Sequence, residues 1–426
     1  MMRPNGRAFK DERVTIMAFG LTKKELSWVL YDVGNSAFVM LSTALIPVYF
    51  ASIADPGSSV VVAWGYAETV ASLVLALLMP VLGSLADLAG NKKKFLVGFA
   101  GTGAVACAAL GIPEHALVFL VVYVIAAIML NGSMVFYDAF LVDATTEERY
   151  DKVSSHGYAW GYIGSCIPFI ACLAVVLGGS SFGIDAKLGM KIAFIITAVW
   201  WVIFTVPVAK NVKQLHGKKH SDHVLRTTIS GLKGTVKSIM KDKRLLFFML
   251  AFFFYIDGVH TVIKMSTSYG TDLGIDSTQL VLALLVTQFV AFPSAIAYGN
   301  LAKCFGTKRM LKVGVLAYFF IVLFAAFFLK SAVEFWILAI CVGLFQGGIQ
   351  ALSRSEYGKL IPKERANEYY GFFDIFGKYA AVMGTFLVSA FTQLTGSSSL
   401  GVLSIALLFI VGFLFLRAMP PMLGDS

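Results

Sequence analysis

A short turn occurs twice in this chain, GSLADLAGNKKK from Gly83 and GNLAKCFGTKRM from Gly299, each time between two long apolar runs. A glycine, a small apolar stretch, a second glycine and a basic cluster describe a tight connection between one membrane-spanning helix and the next. Its recurrence in the second half of the chain points to a duplicated bundle. The runs on either side define the solvent. Hydrophobic residues make up 58% of the 426 positions and charged ones only 14%, which requires lipid around much of the chain and excludes an ordinary soluble domain.

With about 20 apolar residues needed per crossing, the chain offers twelve spans: 27–53, 60–85, 95–112, 116–142, 153–178, 189–208, 245–270, 278–301, 310–329, 334–357, 369–392 and 400–419. The expected fold is an all-α polytopic membrane protein of two pseudo-symmetric six-helix bundles. Its parts are an N-terminal segment 1–26, a first bundle 27–208, a linker 209–244, a second bundle 245–419 and a tail 420–426.

Lys and Arg near span ends stay on the cytoplasmic side. With the N-terminus inside, Arg3, Arg7, Lys10, Arg13, Lys23, Lys24, Lys92 to Lys94, Arg149, Lys152, Lys303, Lys308, Arg309, Lys312, Lys359, Lys363, Arg365 and Arg417 all fall there, as does the linker. The opposite face holds Lys187, Lys191 and Lys330 in its loops, so both termini read as cytoplasmic. The net charge of +10 then reflects topology and contact with anionic lipid headgroups. A nucleic-acid partner would need a folded basic face with aromatic stacking groups, and none is visible. The first residues lack the pattern of a removable signal peptide. Cys107, Cys166, Cys172, Cys304 and Cys341 show no paired spacing, so neither disulfides nor a metal site is expected.

The linker is rich in Lys, His, Gly and Ser, and Val224, Ile229, Leu232, Val236 and Ile239 recur near helical spacing, as in an amphipathic helix on the membrane surface. His216, His220 and His223 have spacings that suit a metal, but a solvated basic linker explains them more simply.

The paired turns resemble the cytoplasmic turn of the major facilitator superfamily, which lies between helices 2 and 3 and recurs between helices 8 and 9. LYDVGNSAF from Leu30, FYDAFLVDATTEERYDKVSSHGYAWGYIG from Phe136, FYIDGVHTVI from Phe254, GGIQALSRSEYGKLIP from Gly347 and YYGFFDIFGKYAA from Tyr369 are similar to the branch containing the fungal vacuolar amino-acid effluxers and their bacterial relatives. That resemblance implies a transporter in a bacterial plasma membrane, monomeric and without a cofactor, with amino acids as cargo. It also implies a cytoplasmic gate made by the turns: Gly83, Asp87, Gly90 and Lys92 in the first, Gly299, Lys303, Gly306, Lys308 and Arg309 in the second. Asp87 is expected to interact with helix 11 and neighbouring basic groups. Lys303 stands at its matching position, so the acid comes from one half only. The branch usually carries an amide where Asp138 stands, and proline where Val142 and Thr385 stand.

Charges within spans mark the chemistry, because an unpaired ion at the centre of a spanning helix costs at least about 2.5 kcal/mol. Asp257, His260 and Lys264 lie on one stripe of helix 7 and are expected to line a cavity between the halves, unless they merely pack that helix against a neighbour. Helix 1 carries Tyr31, Asp32 and Asn35 where helix 7 has Tyr255 and Asp257. Asp32 belongs either to the binding site or to the gate. Helix 4 adds Asn131, Tyr137 and Asp138. Helix 10 adds Gln346 and Gln350, with Arg354 nearer the gate, and helix 8 adds Gln288. On helix 11, Asp374 and Lys378 are spaced to neutralise one another. Tyr158, Trp160 and Tyr162 either shape the cavity or pack.

Acids, Lys264 and His260 together suit a small zwitterion, so a neutral amino acid is the expected cargo, with a sugar, a peptide or a drug-like cation as alternatives. Buried Asp32, Asp138 and Asp257 suggest protons as coupling ion. No GxxxxGK[ST] loop occurs, so ATP is not the direct energy source. A receptor on a transporter fold is the rival from another class. No nucleophile and base constellation marks an enzyme.

Overall fold

The computed structural model describes residues 18–54, 60–218 and 224–420. His220, His223 and the first basic residues, Arg3 to Arg13, lie outside them, as do the side chains of Val224, Ile229 and Lys378. In lipid every backbone polar group needs a partner within the chain, and the protein meets this with helices. Among the described residues an isolated bridge joins Leu88 and Lys218.

The first half contains α1 (Lys23–Ala44, continuing after a bend as Ile46–Ile53), α2 (Val60–Ala86), α3 (Lys92–Ala109), α4 (Ala116–Ala139), α5 (Tyr150–Gly178) and α6 (Ala186–Asn211). A linker helix (Val224–Lys241) follows. The second half contains α7 (Lys243–Asp272), α8 (Ser277–Phe305), α9 (Thr307–Phe328), α10 (Ala332–Leu360), α11 (Ala366–Thr395) and α12 (Ser398–Ser404 then Ala406–Ala418). Nine described helices are long and apolar enough to cross a membrane, and the bent α1 makes ten. Alongside them stand the long helices α3 and α11. The run 116–142 does not form one helix: it breaks at Phe140 and ends in a short turn, Leu141–Ala144.

Local chemistry sets the element ends. Thr22 and Glu25 start α1 with a reciprocal capping box. The bend of 45° after Ala44 falls where Pro47 opens the continuing segment. The second glycines of the duplicated turn, Gly90 and Gly306, adopt φ of 84° and 86°, a region that other residues enter at a cost.

The two halves repeat one packing scheme. Tyr31 of α1 donates to Ser133 of α4 at 2.6 Å, and in the second half Tyr255 of α7 shares a 2.7 Å hydrogen bond with Ser353 of α10. Three residues beyond each tyrosine stands a glycine. A Cβ on Gly34 would meet Phe204 Cβ at 2.9 Å and the Trp201 carbonyl oxygen at 3.2 Å, both on α6; one on Gly258 would meet the Phe409 ring of α12 at 2.5 Å. Each glycine therefore fixes how closely the first helix of its half approaches the last. Gly34→Ala overpacks a backbone contact that cannot rotate away, at a cost of about 1–3 kcal/mol. The midpoint of thermal unfolding in detergent is expected to fall, and an unchanged midpoint refutes the assigned contact.

Candidate functional site

At the end where most of the basic loops lie, here termed the basic face, charged side chains of the two halves pair across the seam. Arg354 of α10 crosses the seam and is 1% exposed. Its Nη1 donates to Asp138 Oδ1 at 2.9 Å and lies 3.6 Å from Asp32 Oδ2. Nε and Nη2 donate to the hydroxyl and carbonyl of Ser154, both at 2.9 Å. The guanidinium also lies over the rings of Trp28, Tyr137 and Tyr158, at 4.7, 5.3 and 4.4 Å. Tyr137 donates to Asp32 Oδ2 at 3.1 Å, and Trp28 Nε1 donates to the Tyr137 carbonyl at 2.9 Å. Truncating one member of such a buried network strands the charge left behind, at about 3–5 kcal/mol.

Two latches flank this cluster, and the first glycine of each duplicated turn makes one of them possible. A Cβ on Gly83 would lie 2.6 Å from the Asn367 carbonyl oxygen on α11, and one on Gly299 would lie 2.6 Å from Ser155 Oγ on α5. Beyond Gly83, Asp87 takes up two backbone amides that the first turn of α11 leaves unpaired, Asn367 N at 2.9 Å and Glu368 N at 3.0 Å, and accepts from the Asn367 side-chain Nδ2 at 2.8 Å. It acts as an N-terminal cap supplied from the other half. Lys303 is exposed. On its side the acid is Asp151 of α5, which accepts from Lys359 Nζ at 2.8 Å, Thr307 Oγ1 at 2.7 Å and Ser355 Oγ at 2.5 Å.

The linker is woven into the first latch. Lys218 N donates to the Asp87 carbonyl at 2.7 Å, and Lys218 Nζ donates to Glu368 at 2.6 Å. Thr235 of the linker helix donates to Glu368 and is approached by Arg365. Lys92 is fully buried against Asp143, at 2.6 Å, and Asp143 also accepts from the backbone amides of Leu215 and His216 and contacts the His216 ring. Gln214 accepts from Gly90 N at 2.9 Å and Lys92 N at 3.2 Å.

The remaining sequence candidates spread over several places. Asp257 is fully buried within the second half, accepting from Gly384 N of α11 at 3.0 Å and Thr261 Oγ1 at 3.3 Å; among the described residues its Oδ2 has no hydrogen-bond partner. Farther along α7, His260 is half-buried and Lys264 exposed. Gln346 and Gln288 line a mainly apolar cleft between helices of the second half, together with Ser266, Tyr269 and Thr287. Gln288 reaches to 3.5 Å from Met40 Sδ of the first half. Gln350 is half-buried. Asn131 donates to the Ala127 carbonyl of its own helix at 2.8 Å, and Asn35 donates to the Tyr31 carbonyl at 3.0 Å while lying 3.5 Å from Asp32. Lys308 holds the Met419 carbonyl, and Arg309 is exposed. Sequence reasoning did not single out Trp28, Asp143, Asp151, Ser154, Lys218, Lys359 or Asn367. An acid followed by a basic residue in DKVSS and a Lys after SEYG were the only signals pointing to Asp151 and Lys359.

An all-helical chain of long apolar segments, doubled and joined across a seam of buried charges, is an integral membrane transporter of the major facilitator superfamily. Solved structures share the fold: the transporter FucP in its outward conformation (TM-score 0.70, 14% identity, 94% of this chain and 99% of that one) and the proton:xylose symporter XylE (0.69, 10%, 95% and 96%). The sequence model of the family described as "Vacuole effluxer Atg22 like" matches residues 57–146 and 142–422, and the chain belongs to that family. It is 45% identical over 408 residues to the uncharacterized MFS-type transporter YxiO of Bacillus subtilis, covering 94% of this chain and 95% of that protein. It is 26% identical over 283 residues to autophagy-related protein 22 of Cryptococcus neoformans, covering 61% of this chain and about half, 48%, of that longer protein.

Asp87 gives the gate a sign with pH. Burial pushes its carboxyl up to about 6, against the nearby Lys92 charge and the amide donors of Asn367 and Glu368. A carboxyl released to water on opening returns to the ordinary range near 4. The closed form therefore binds the proton more tightly, and its linked stabilisation is present at pH 4 and lost as pH rises through 6. Spin labels at Lys94 and Glu364 are expected to report more of the closed form on acidification from pH 7 to pH 4. Asp87→Ala is expected to lose this response.

Proposed function

We propose that this protein is a secondary transporter of small neutral amino acids in a bacterial plasma membrane, with the basic face cytoplasmic, working by alternating access as a monomer. The observation that carries the reading is the placement of Arg354, a residue of the second half buried among Asp32, Asp138 and Ser154 of the first. A charge committed across the seam at one end has to be withdrawn before that end opens, which is what rocking of two bundles about a central site requires. The state described has its basic-face end shut.

Tyr31, Asp32, Asn35, Asn131, Tyr137 and Asp138 form the first half's side of the site, and Tyr255, Asp257, His260, Lys264, Gln288, Gln346 and Gln350 the second's. Supporting the zwitterion are a carboxylate and an ammonium two turns apart on α7 and the uncharged amides Gln288 and Gln346 at the cleft. Protons are the proposed coupling ion, through Asp32, Asp138 or Asp257.

Uptake of radiolabelled neutral amino acids into proteoliposomes tests this reading. Asp257→Asn and Lys264→Ala are each expected to lower uptake at least about tenfold, the scale of one hydrogen bond to a charged group. Undiminished uptake by both removes α7 from the mechanism. Cargo-driven acidification or alkalinisation of the vesicle lumen is the expected sign of proton coupling, and flux indifferent to a proton gradient refutes it.

A further inference from the structure

Arg354 occupies a box whose walls belong to a different half from its own. Trp28 and Asp32 come from α1, Tyr137 and Asp138 from α4, and Tyr158 from α5, all in the first half. The walls are braced without the guanidinium. Trp28 and Tyr137 stack at 4.3 Å between ring centroids, Trp28 Nε1 is anchored on the Tyr137 carbonyl at 2.9 Å, and the Tyr137 hydroxyl is anchored on Asp32 at 3.1 Å. Gly157 keeps the floor open: a Cβ there would come within 2.8 Å of Arg354 Nη2, 2.9 Å of the Tyr137 hydroxyl and 3.0 Å of the Trp28 ring. Aromatic faces combined with carboxylates in a desolvated pocket are the chemistry that recognises organic cations.

Opening the basic-face end separates the halves and takes Arg354 out of this box, while the box itself travels with the first half. It then presents the stacked Trp28–Tyr137 pair, the Tyr158 ring and two carboxylates to whatever the open cavity holds. Asp138 is already the more reachable acid, its side chain 18% exposed against 5% for Asp32.

We infer that Trp28, Asp32, Tyr137, Asp138 and Tyr158 form a receptor for an organic cation, filled by the chain's own Arg354 while the gate is shut and by the ammonium group of the cargo once Arg354 withdraws. Arg354 is thus a tethered competitor of the cargo. Closing the gate expels the bound ammonium, and a bound ammonium holds the gate open. Only the identity of the mobile occupant rests on the amino-acid reading above; the box and its tethered occupant do not.

The test empties the box and refills it with a probe. Full-length Arg354→Ala, and Arg354→Gln to preserve side-chain bulk if the smaller variant fails to fold, are titrated with methylguanidinium chloride at constant ionic strength while the thermal unfolding midpoint is read. Methylurea serves as the uncharged isostere. A saturable rise is expected with methylguanidinium, none with methylurea, and none in the wild type, whose box is full. Adding Trp28→Leu is expected to weaken half-saturation at least about tenfold, as for loss of a desolvated cation–π contact. An equal rise in the wild type, no rise in either variant, or a rise that acidification reproduces without the probe overturns the proposal, the last by showing that the box takes a proton. An amino acid is expected to compete with methylguanidinium in the variant and its N-acetyl derivative, which lacks the ammonium, is not; equal competition by both removes the cargo from the box. Saturable methylguanidinium binding alongside absent amino-acid flux in the wild type sinks the amino-acid reading and leaves the receptor standing. Flux without binding does the reverse.

Discussion

A guanidinium cannot sit in a membrane protein's interior without acids and acceptors around it, and this requirement organises the seam. Arg354 finds its partners on three helices of the opposite half, so its solvation is the same thing as the closure of one end of the molecule. The peripheral latches at Asp87 and Asp151 add amide and ammonium contacts at the rim. Asp87 and its partners Asn367 and Glu368 are themselves buried, so this latch, like the centre, is a desolvated contact.

The duplicated turn solves two geometric problems with its two glycines. The first brings a helix of one half against the backbone or hydroxyl of a helix in the other, and the second allows the sharp exit into the following helix. The basic cluster that follows also divides its tasks. Lys92 turns inward and neutralises Asp143, whereas Lys303 and Arg309 stay exposed. The linker, which composition alone presents as a solvated basic connector, is held to the first turn by a backbone bridge and to the second half through Glu368. It spans the same seam as the latches.

Much of the architecture was legible in the sequence because lipid imposes a coarse rule: long apolar runs form helices, and the repeat of GSLADLAGNKKK as GNLAKCFGTKRM declares the duplication. The identity of charged residues worth attention was legible too, since Asp32, Asp138, Asp257 and Arg354 stand out against apolar neighbours. Their pairing was not. Arg354 and Asp138 are separated by more than two hundred positions, and which stripe of α10 faces α4 depends on helix packing that no local pattern encodes. Trp28 reads as one more membrane aromatic until its stacking on Tyr137 beneath a guanidinium is seen. The linker contacts were hidden for the same reason, being long-range contacts of Lys218 and Thr235, two unexceptional surface residue types.

The repeated tyrosines of α1 and α7 carry one further consequence. Tyr31 is followed at once by its aspartate, whereas Tyr255 is followed by Ile256 and then Asp257. One position along a helix swings a side chain by about 100°, so the two corresponding segments aim their acids in different directions: Asp32 at the seam, Asp257 into the interior of its own bundle against Gly384. The one-residue offset leaves one acid of the pair at the seam, facing a cation of the other half, and the other enclosed by its own half.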